Sequence, residues 1–441
     1  MTDPLPVCII GAGLSGMTSA KHLLDRSIPF EWFEIGSSYG GNWRYDNDNG
    51  RSAAYASLQI DTSKDRFAFS DLPMPKAWPD YLHHTQVLEY LGKYMHAFEL
   101  GDHVRYRHEV TLVEPAGDGW MVTVHDLAND TMNAKLYRAV IVANGHHWAP
   151  NVPRTEGPFA GRIIHAQEYR SPEPYIGANV VVVGAGNTAV DIASELSWHA
   201  STVTVATRSG AYVLPRYVLG RPLDTFSTPT ASKLPLSVQQ AAYRALLLAT
   251  RGSQSSYGFP EPDGPLLGQH PTVNQDFLGL VKDGQIRVRR TISRTTETEV
   301  VFADGTHQAC DAIIYATGYR ISFPFLPDDV LAPDDNHVAL YKRVVAPDDE
   351  GLYFVGLIQP VGALPPLAEQ QARWVAQLID GAALPTPAMM KAEVQRDQAE
   401  VAARYDDRPR HTIQVDYWPY LQHMRQVCDE IDARDRPNAT S

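Results

Sequence analysis

The chain has 441 residues, enough for two or three domains with buried cores. Its 51 acidic residues outweigh 38 lysines and arginines, giving a formal net charge of −13 with no basic block, so nucleic acid and anionic membrane are poor candidates as partners. Cys8, Cys310 and Cys428 are far apart and form no C-x-x-C, which argues against a zinc site or a dithiol centre and suits a reducing compartment.

Pro4 and Pro6 interrupt the N-terminus, so no signal peptide is expected there. No apolar run reaches the roughly 18 residues of a membrane helix, and Asp429 to Ser441 is charged and polar. A soluble, cytoplasmic protein is expected. Val7 to Ile10 reads as a buried strand, with Cys8 as a core residue. The loop Gly11-Ala-Gly13-Leu-Ser15-Gly16 follows, then a helix from about Leu14 to Asp25 and a strand over Phe30 to Ile35. In such a βαβ unit the glycines bring backbone N–H groups against a pyrophosphate at a helix N-terminus. Glu34 ends the second strand, where a carboxylate can accept both ribose hydroxyl hydrogen bonds.

The pattern recurs. Asn179 to Val183 reads as a strand, Gly184-Ala-Gly186-Asn187-Thr188-Ala189 as its loop, Val190 to Trp198 as a helix and Val203 to Thr207 as the next strand. Thr207 follows Gly184 by 23 residues, the spacing that separates Glu34 from Gly11. The second unit thus replaces the acid by Thr207 and adds Arg208, which suits a ribose 2′-phosphate. That pattern favours FAD at the first loop and NADPH at the second.

Leu219 to Pro271 is rich in proline, serine and glycine, with one helical run near Leu236 to Thr250. Ile286 to Val301 suggests a β meander, and Ala312 to Tyr319 a strand ending in Ala316-Thr317-Gly318-Tyr319. A strand at Leu352 to Gly356 leads into Gln359-Pro360, and a helix is expected over Pro366 to Leu378. The segment Ala388 to Asp432 reads as largely helical, with Trp418 and Tyr420 buried. The pairs His83-His84 and His146-His147 do not suggest a metal site, because neighbours on a strand point to opposite faces and no third ligand is suitably spaced.

Between the two loops stands Phe159-Ala-Gly161-Arg-Ile-Ile-His165-Ala-Gln-Glu-Tyr169, which fits F-x-G-x-x-x-H-x-x-x-(Y/F/N). With this signature the chain resembles the flavin-containing monooxygenases (class B flavoprotein monooxygenases) over nearly its whole length. Gly40-Gly41-Asn42-Trp43 resembles the family's G-G-x-W, which contacts flavin and ribose. Ser57 to Asp71 and Pro73-Met74-Pro75 resemble its segment along the isoalloxazine, with Asp61 and Thr62 inside it. Asn144-Gly145-His146 and Ala316 to Tyr319 resemble its two linkers, and Glu369, Gln371, Arg373 and Trp374 its E-x-Q-x-R-W.

The resemblance implies an α/β fold of two Rossmann-like dinucleotide-binding domains, the second inserted into the first. Residues 1–170 and 316–441 would bind FAD and residues 171–315 would bind NADPH. It adds Gly41, Trp43, Thr62, Val110, Thr317, Gly318 and Gln359 to the cofactor-binding residues, and places His165 at the domain interface rather than in acid–base chemistry. Two departures stand out. Asp61 occupies a position where the family carries an asparagine that helps hold a C4a-hydroperoxyflavin, which makes Asp61 the candidate catalytic residue. The signature ends in Tyr169-Arg170, whereas typical Baeyer–Villiger enzymes have Trp followed by Pro or Asp. Three readings stay open: oxygenation of an amine or thioether, oxygenation of a ketone, and an uncoupled NADPH oxidase or nucleotide-bound regulator. Dioxygen and a small molecule are the implied partners, and a homodimer is left open.

Overall fold

The computed structural model describes residues 4–405 and 411–435. The polar tail beyond residue 435 lies outside the described residues. The chain divides into two compact units, Met1–Ser52 with Lys64–Ala149 and Arg320–Ser441, and Ala53–Ser63 with Pro150–Tyr319.

The first unit is built on a five-stranded sheet. Its spatial order is Leu352–Phe354, Ala139–Val142, Val7–Ile10, Phe30–Glu34, Val104–Tyr106, and every pairing is parallel. Val7–Ile10 and Ala139–Val142 are buried at every residue, as a parallel strand covered on both faces must be. The helix Leu14–Asp25 packs on the helix Pro365–Ile379, which packs in turn on Tyr417–Asp435. An antiparallel sheet of His108–Ala116, Gly119–Asp126 and Thr131–Tyr137 contributes Val110, Val113, Trp120 and Tyr137 to a core shared with Cys8, Ile10 and Phe33.

The second unit repeats the plan. Its five strands run Ile286–Arg289, Thr202–Ala206, Asn179–Val183, Ala312–Tyr315, Arg162–His165, again all parallel. The alternation of side chains along a strand is visible in its cores. Val180 and Val182 join one cluster with Ala189, Ile192 and Leu196 of the helix Asn187–Leu196. Val181 and Val183 join another with Val300 and Phe302. The central strand of each sheet is the one that precedes a glycine loop, so each loop emerges where strand order reverses, the place at which open α/β sheets bind ligands.

Some expectations are corrected. Ile286–Arg289 is not part of the meander but an edge strand paired with Thr202–Ala206, and the meander is Ile292–Thr295, Glu299–Phe302 and His307–Ala309. The second helix begins three residues earlier than expected, at Asn187, because its Gly186 N-cap directly follows the loop. The strand from Ala312 stops at Tyr315, ahead of a turn at Gly318 with φ of +82°. The C-terminal segment holds two helices, Pro387–Arg404 and Tyr417–Asp435, with a short strand Gln414–Val415 before the second. Trp418 and Tyr420 are only partly buried. Residues 150–170 and 53–63 cluster with the second unit rather than the first. Pairing of Arg162–His165 with Ala312–Tyr315 holds the former there.

Among the described residues no helix is long and apolar enough to cross a membrane, and no group of three or more His, Cys, Asp or Glu residues gathers as a metal site. His83 acts as a helix cap: its ring accepts from the Thr85 N–H, and Gln86 returns a bond to the His83 backbone.

Candidate cofactor and oxygenation site

In the first unit the loop after Val7–Ile10 is closed by steric necessity. Gly11 has φ of +100°, and a Cβ there would stand 2.7 Å from the Ala143 carbonyl oxygen. A Cβ on Gly16 would stand 1.9 Å from the Gly11 carbonyl oxygen, so only glycine lets the helix approach the loop this closely. Gly13 is the N-cap of the helix Leu14–Asp25 and supplies no capping side chain. The orphan N–H groups of that first turn are thus left for a ligand. A Cβ on Gly41 would stand 3.1 Å from the Gly13 Cα, so these two glycines clear one cradle. Trp43 follows on the turn Gly41–Trp43, its ring edge-on to Phe67.

Glu34 is buried at the end of its strand. Its Oε2 accepts from the Ala12 N–H at 2.7 Å and its Oε1 from the Gly36 N–H at 2.7 Å. Oε1 also accepts from Asn49 Nδ2 at 3.4 Å, so Oε2 is the oxygen that keeps accepting capacity for a ribose hydroxyl. Ser15 is buried against Gly356, where a Cβ would stand 2.1 Å from the Ser15 Oγ. The strand Leu352–Phe354 thereby returns the chain to the first loop.

The E-x-Q-x-R-W residues hold this unit together. Gln371 Oε1 accepts from the Gly356 N–H at 2.8 Å, and its Nε2 donates to the Tyr420 hydroxyl at 2.7 Å. Glu369 accepts from the N–H and the hydroxyl of Ser70. Arg373 pairs with Asp429 and Asp432, and Trp374 packs by Tyr341. Gln359 is partly buried, and its N–H donates to the Ile413 carbonyl at 2.8 Å. Val110 lies in the antiparallel sheet opposite Val124, with its side chain in the core.

In the second unit Gly184 has φ of +135°, and a Cβ there would stand 2.5 Å from the Ala316 carbonyl oxygen. Gly186 caps the helix Asn187–Leu196 without a side-chain bond, as Gly13 does in the first unit. Asn187 Oδ1 accepts from the Val273 N–H at 2.7 Å, and Thr188 stands next in the same turn, partly buried. Thr207 is buried, its N–H donating to the Arg289 carbonyl at 3.0 Å. Arg208 is exposed, and Arg290 Nη1 donates to its backbone carbonyl at 3.0 Å. Arg290 is a second cation at this strand end that no sequence spacing marked. It arrives through the parallel edge strand Ile286–Arg289.

The signature is a brace inside this unit. A Cβ on Gly161 would stand 2.5 Å from the Asp311 carbonyl oxygen and 2.6 Å from the Phe159 ring. His165 Nδ1 accepts from the Gln167 N–H at 3.1 Å, so its Nε2 carries the proton and donates to the Gly318 carbonyl at 3.1 Å. Burial holds this imidazole below the usual histidine range, with the Gly318 bond opposing. Thr317 Oγ1 donates to the Asn151 carbonyl at 2.6 Å, fixing the same turn. The Tyr169 hydroxyl donates to Glu195 Oε2 at 2.6 Å, on the helix that follows the second loop.

Asp61 and Thr62 lie in the 53–63 segment, both partly buried. This segment is tied to the rest of its unit by Tyr55, whose hydroxyl donates to Asp191 Oδ2 at 2.7 Å, and by the Ser63 N–H, which donates to Asp224 Oδ2 at 2.6 Å. Asn274 Nδ2 donates to Asp191 Oδ1 at 2.8 Å. Arg216 donates to Gln59 Oε1. Asp61 Oδ1 is shut from solvent and accepts no hydrogen bond. Burial and the nearby Asp191 charge push the Asp61 carboxyl well above the usual carboxylate range, with Arg216 opposing.

The chain that carries these two glycine loops matches known proteins over nearly its whole length. The model for flavin-binding monooxygenase-like proteins matches residues 5–438. Flavin-containing monooxygenase 5 of Rattus norvegicus is 36% identical over 456 aligned residues, covering 99% of this chain and 84% of the relative. Among solved structures, S-allyl-L-cysteine S-oxygenase from Allium sativum superposes with a TM-score of 0.72 at 25% identity, covering 99% of this chain and 94% of that one. A closed cyclohexanone monooxygenase superposes with a TM-score of 0.74 at 20% identity, covering 98% of each chain, a likeness of fold. The chain belongs to the flavin-binding monooxygenase-like family and is a monooxygenase.

Proposed function

We propose that this monooxygenase binds FAD at the first glycine loop and NADPH at the second, and transfers one oxygen atom of dioxygen to nucleophilic nitrogen or sulfur in a small molecule. The observation that carries this reading is the contrast between the two strand ends. A buried carboxylate, Glu34, meets one cradle, and Thr207 with Arg208 and Arg290 meets the other. A carboxylate suits a free ribose and repels a 2′-phosphate, while guanidinium groups suit the phosphate. The first unit is then the FAD domain and the second the NADPH domain.

Flavin bound in this way would take hydride from the nicotinamide and activate dioxygen. The chain supplies binding and orientation. Its uncapped helix N-termini at Gly13 and Gly186 hold pyrophosphates. Glu34 would hold a ribose through the accepting capacity that Ala12 leaves on Oε2. His165 fixes the turn at Gly318 rather than moving a proton, because both ring nitrogens are engaged. Asp61 is the residue assigned to oxygenation. Similarity to a sulfur oxygenase across 99% of this chain supports a heteroatom substrate, as does Tyr169-Arg170 at the end of the signature.

The test has two parts. Flavin released by denaturation should chromatograph as FAD, and recovery of FMN would remove the first assignment. NADPH consumption should then be compared with peroxide release while an amine, a thioether and a cyclic ketone are offered in turn. An N- or S-oxygenated product with reduced peroxide is expected. A lactone from the ketone alone would move the reading to carbonyl oxygenation, and peroxide equal to NADPH in every case would make the protein an oxidase.

A further inference from the structure

We propose that Asp61 is a carboxylic acid at neutral pH, holding the proton of a pair it forms with Asp191, and that it presents an O–H donor where the family carries an asparagine amide. The argument lies within the second unit and rests on how unequally the two side chains are served. Asp191 has a neutral donor on each oxygen, the Tyr55 hydroxyl at 2.7 Å on Oδ2 and the Asn274 amide at 2.8 Å on Oδ1. Burial pushes its carboxyl above the usual range as well, and these two donors oppose that push. Asp61 Oδ1 is sealed from water and accepts nothing. An ionised oxygen in that position forfeits its hydration without replacement.

The surrounding charges favour one retained proton. The Asp191 charge raises Asp61, and Glu195, one helical turn beyond Asp191, raises Asp191 in the same way. Glu195 is itself held by the Tyr169 hydroxyl at 2.6 Å. Among the described residues Arg216 is the guanidinium that bears on both, and it also donates to Gln59. Its charge favours ionisation of both members and so does not choose between them. Three carboxyls against one guanidinium leave an excess of negative charge that a single proton relieves. The proton settles on the member with a buried oxygen that no donor serves, which is Asp61 through its Oδ1.

The consequence is chemical mimicry. Asparagine offers an N–H donor and a carbonyl acceptor, and a neutral carboxyl of nearly the same size offers an O–H donor and a carbonyl acceptor. Asp61 in place of the family's asparagine then keeps a donor, and makes it dependent on pH. Only the use of that donor during oxygenation rests on the proposed function; the protonation itself does not.

Infrared spectra of the holoenzyme test it directly. At pH 7 the wild-type protein should show the carbonyl stretch of a protonated carboxyl, shifted in deuterium oxide and removed by Asp61→Asn. In Asp191→Asn, Asp61 faces Arg216 without its acidic partner, so the same band should vanish at a lower pH than in wild type. Carbon-labelled aspartate in the unsubstituted protein supplies the readout if a variant fails to fold, because the band must move with the label. A pH 7 spectrum with no such band, or a band that Asp61→Asn leaves in place, overturns the proposal. A missing band beside normal oxygenated product sinks only this inference. The band present without oxygenated product sinks only the functional reading.

Discussion

Arg208→Ala is the sharpest probe of coenzyme choice. The side chain is exposed at the end of the strand Thr202–Ala206, next to buried Thr207. A charge-assisted contact to a 2′-phosphate contributes roughly 1.5–3 kcal/mol, or about one to two decades of affinity. Solvent and salt screen an exposed guanidinium, so the loss should fall near one decade. Arg290 keeps it from being larger. Its Nη1 donates to the Arg208 backbone carbonyl at 3.0 Å, and alanine preserves that carbonyl. The second cation therefore stays in place in the single variant, and Arg208→Ala with Arg290→Ala should lose clearly more than either alone. NADH lacks the 2′-phosphate and should bind both variants as it binds wild type. The assay is coenzyme affinity, measured for NADPH and NADH at low and high salt. Equal losses for both coenzymes, or a loss insensitive to salt, would refute the assignment and leave Arg208 as a structural residue.

Glu34→Gln should lower bound flavin and stability together. The side chain is 4% exposed and accepts from two N–H groups, and an amide can accept from only one of them while turning its own N–H₂ toward the other. Leaving one buried donor unpaired costs about 1–3 kcal/mol; the ratio of flavin to protein absorbance and the Tm report it, and an unchanged flavin content would contradict the role given to Glu34. His22 should make the protein acid-sensitive. Burial first, then the charges of Lys21, Arg373 and Arg26, hold its pKa down to about 3. The folded state then binds fewer protons than the unfolded state between about pH 3 and the ordinary histidine value of about 6.5. Stability from this group is complete above that window and is lost as pH falls through it, by on the order of a few kcal/mol. Urea midpoints of wild type and His22→Gln across the window check this, and equal slopes would mean that other groups carry the effect.

The loops were legible from sequence because their requirement is local. Gly11 and Gly184 need positive φ, and Gly16 has no room for a Cβ, so the glycines must appear in the chain itself. The match of 23 residues from loop to strand end followed from the same local geometry. Pairings across long stretches of chain left no such trace. Arg162–His165 is a four-residue edge strand with two exposed residues, too short and too mixed to declare a parallel neighbour 150 residues away. Ile286–Arg289 looked like the first arm of a meander because its partner, Thr202–Ala206, lies far back in the chain. Asp191 is 136 residues from Tyr55 and 83 from Asn274, so nothing in the spacing foretold that two donors would meet on it.

The signature shows how a motif can label a family without carrying its chemistry. The family resemblance implies that His165 stands at the domain interface, outside acid–base chemistry. Within its own unit its ring accepts from one backbone N–H and donates to the carbonyl of Gly318, so it sets the turn that follows the strand Ala312–Tyr315. Gly161 lets the chain cross beside the Asp311 carbonyl with no room for a Cβ. Tyr169 reaches Glu195 on the helix that begins at the second glycine loop. Each residue therefore ties the 159–169 stretch to a different part of one unit: the strand entry, the linker turn and the nucleotide helix. The pattern has fixed spacing because those three anchors are fixed in space, and loosening any one of them would move the second loop relative to its linker. A motif of this kind identifies the family by the scaffold it braces, while the residues proposed to act in oxygenation, Asp61 with Asp191, lie outside it.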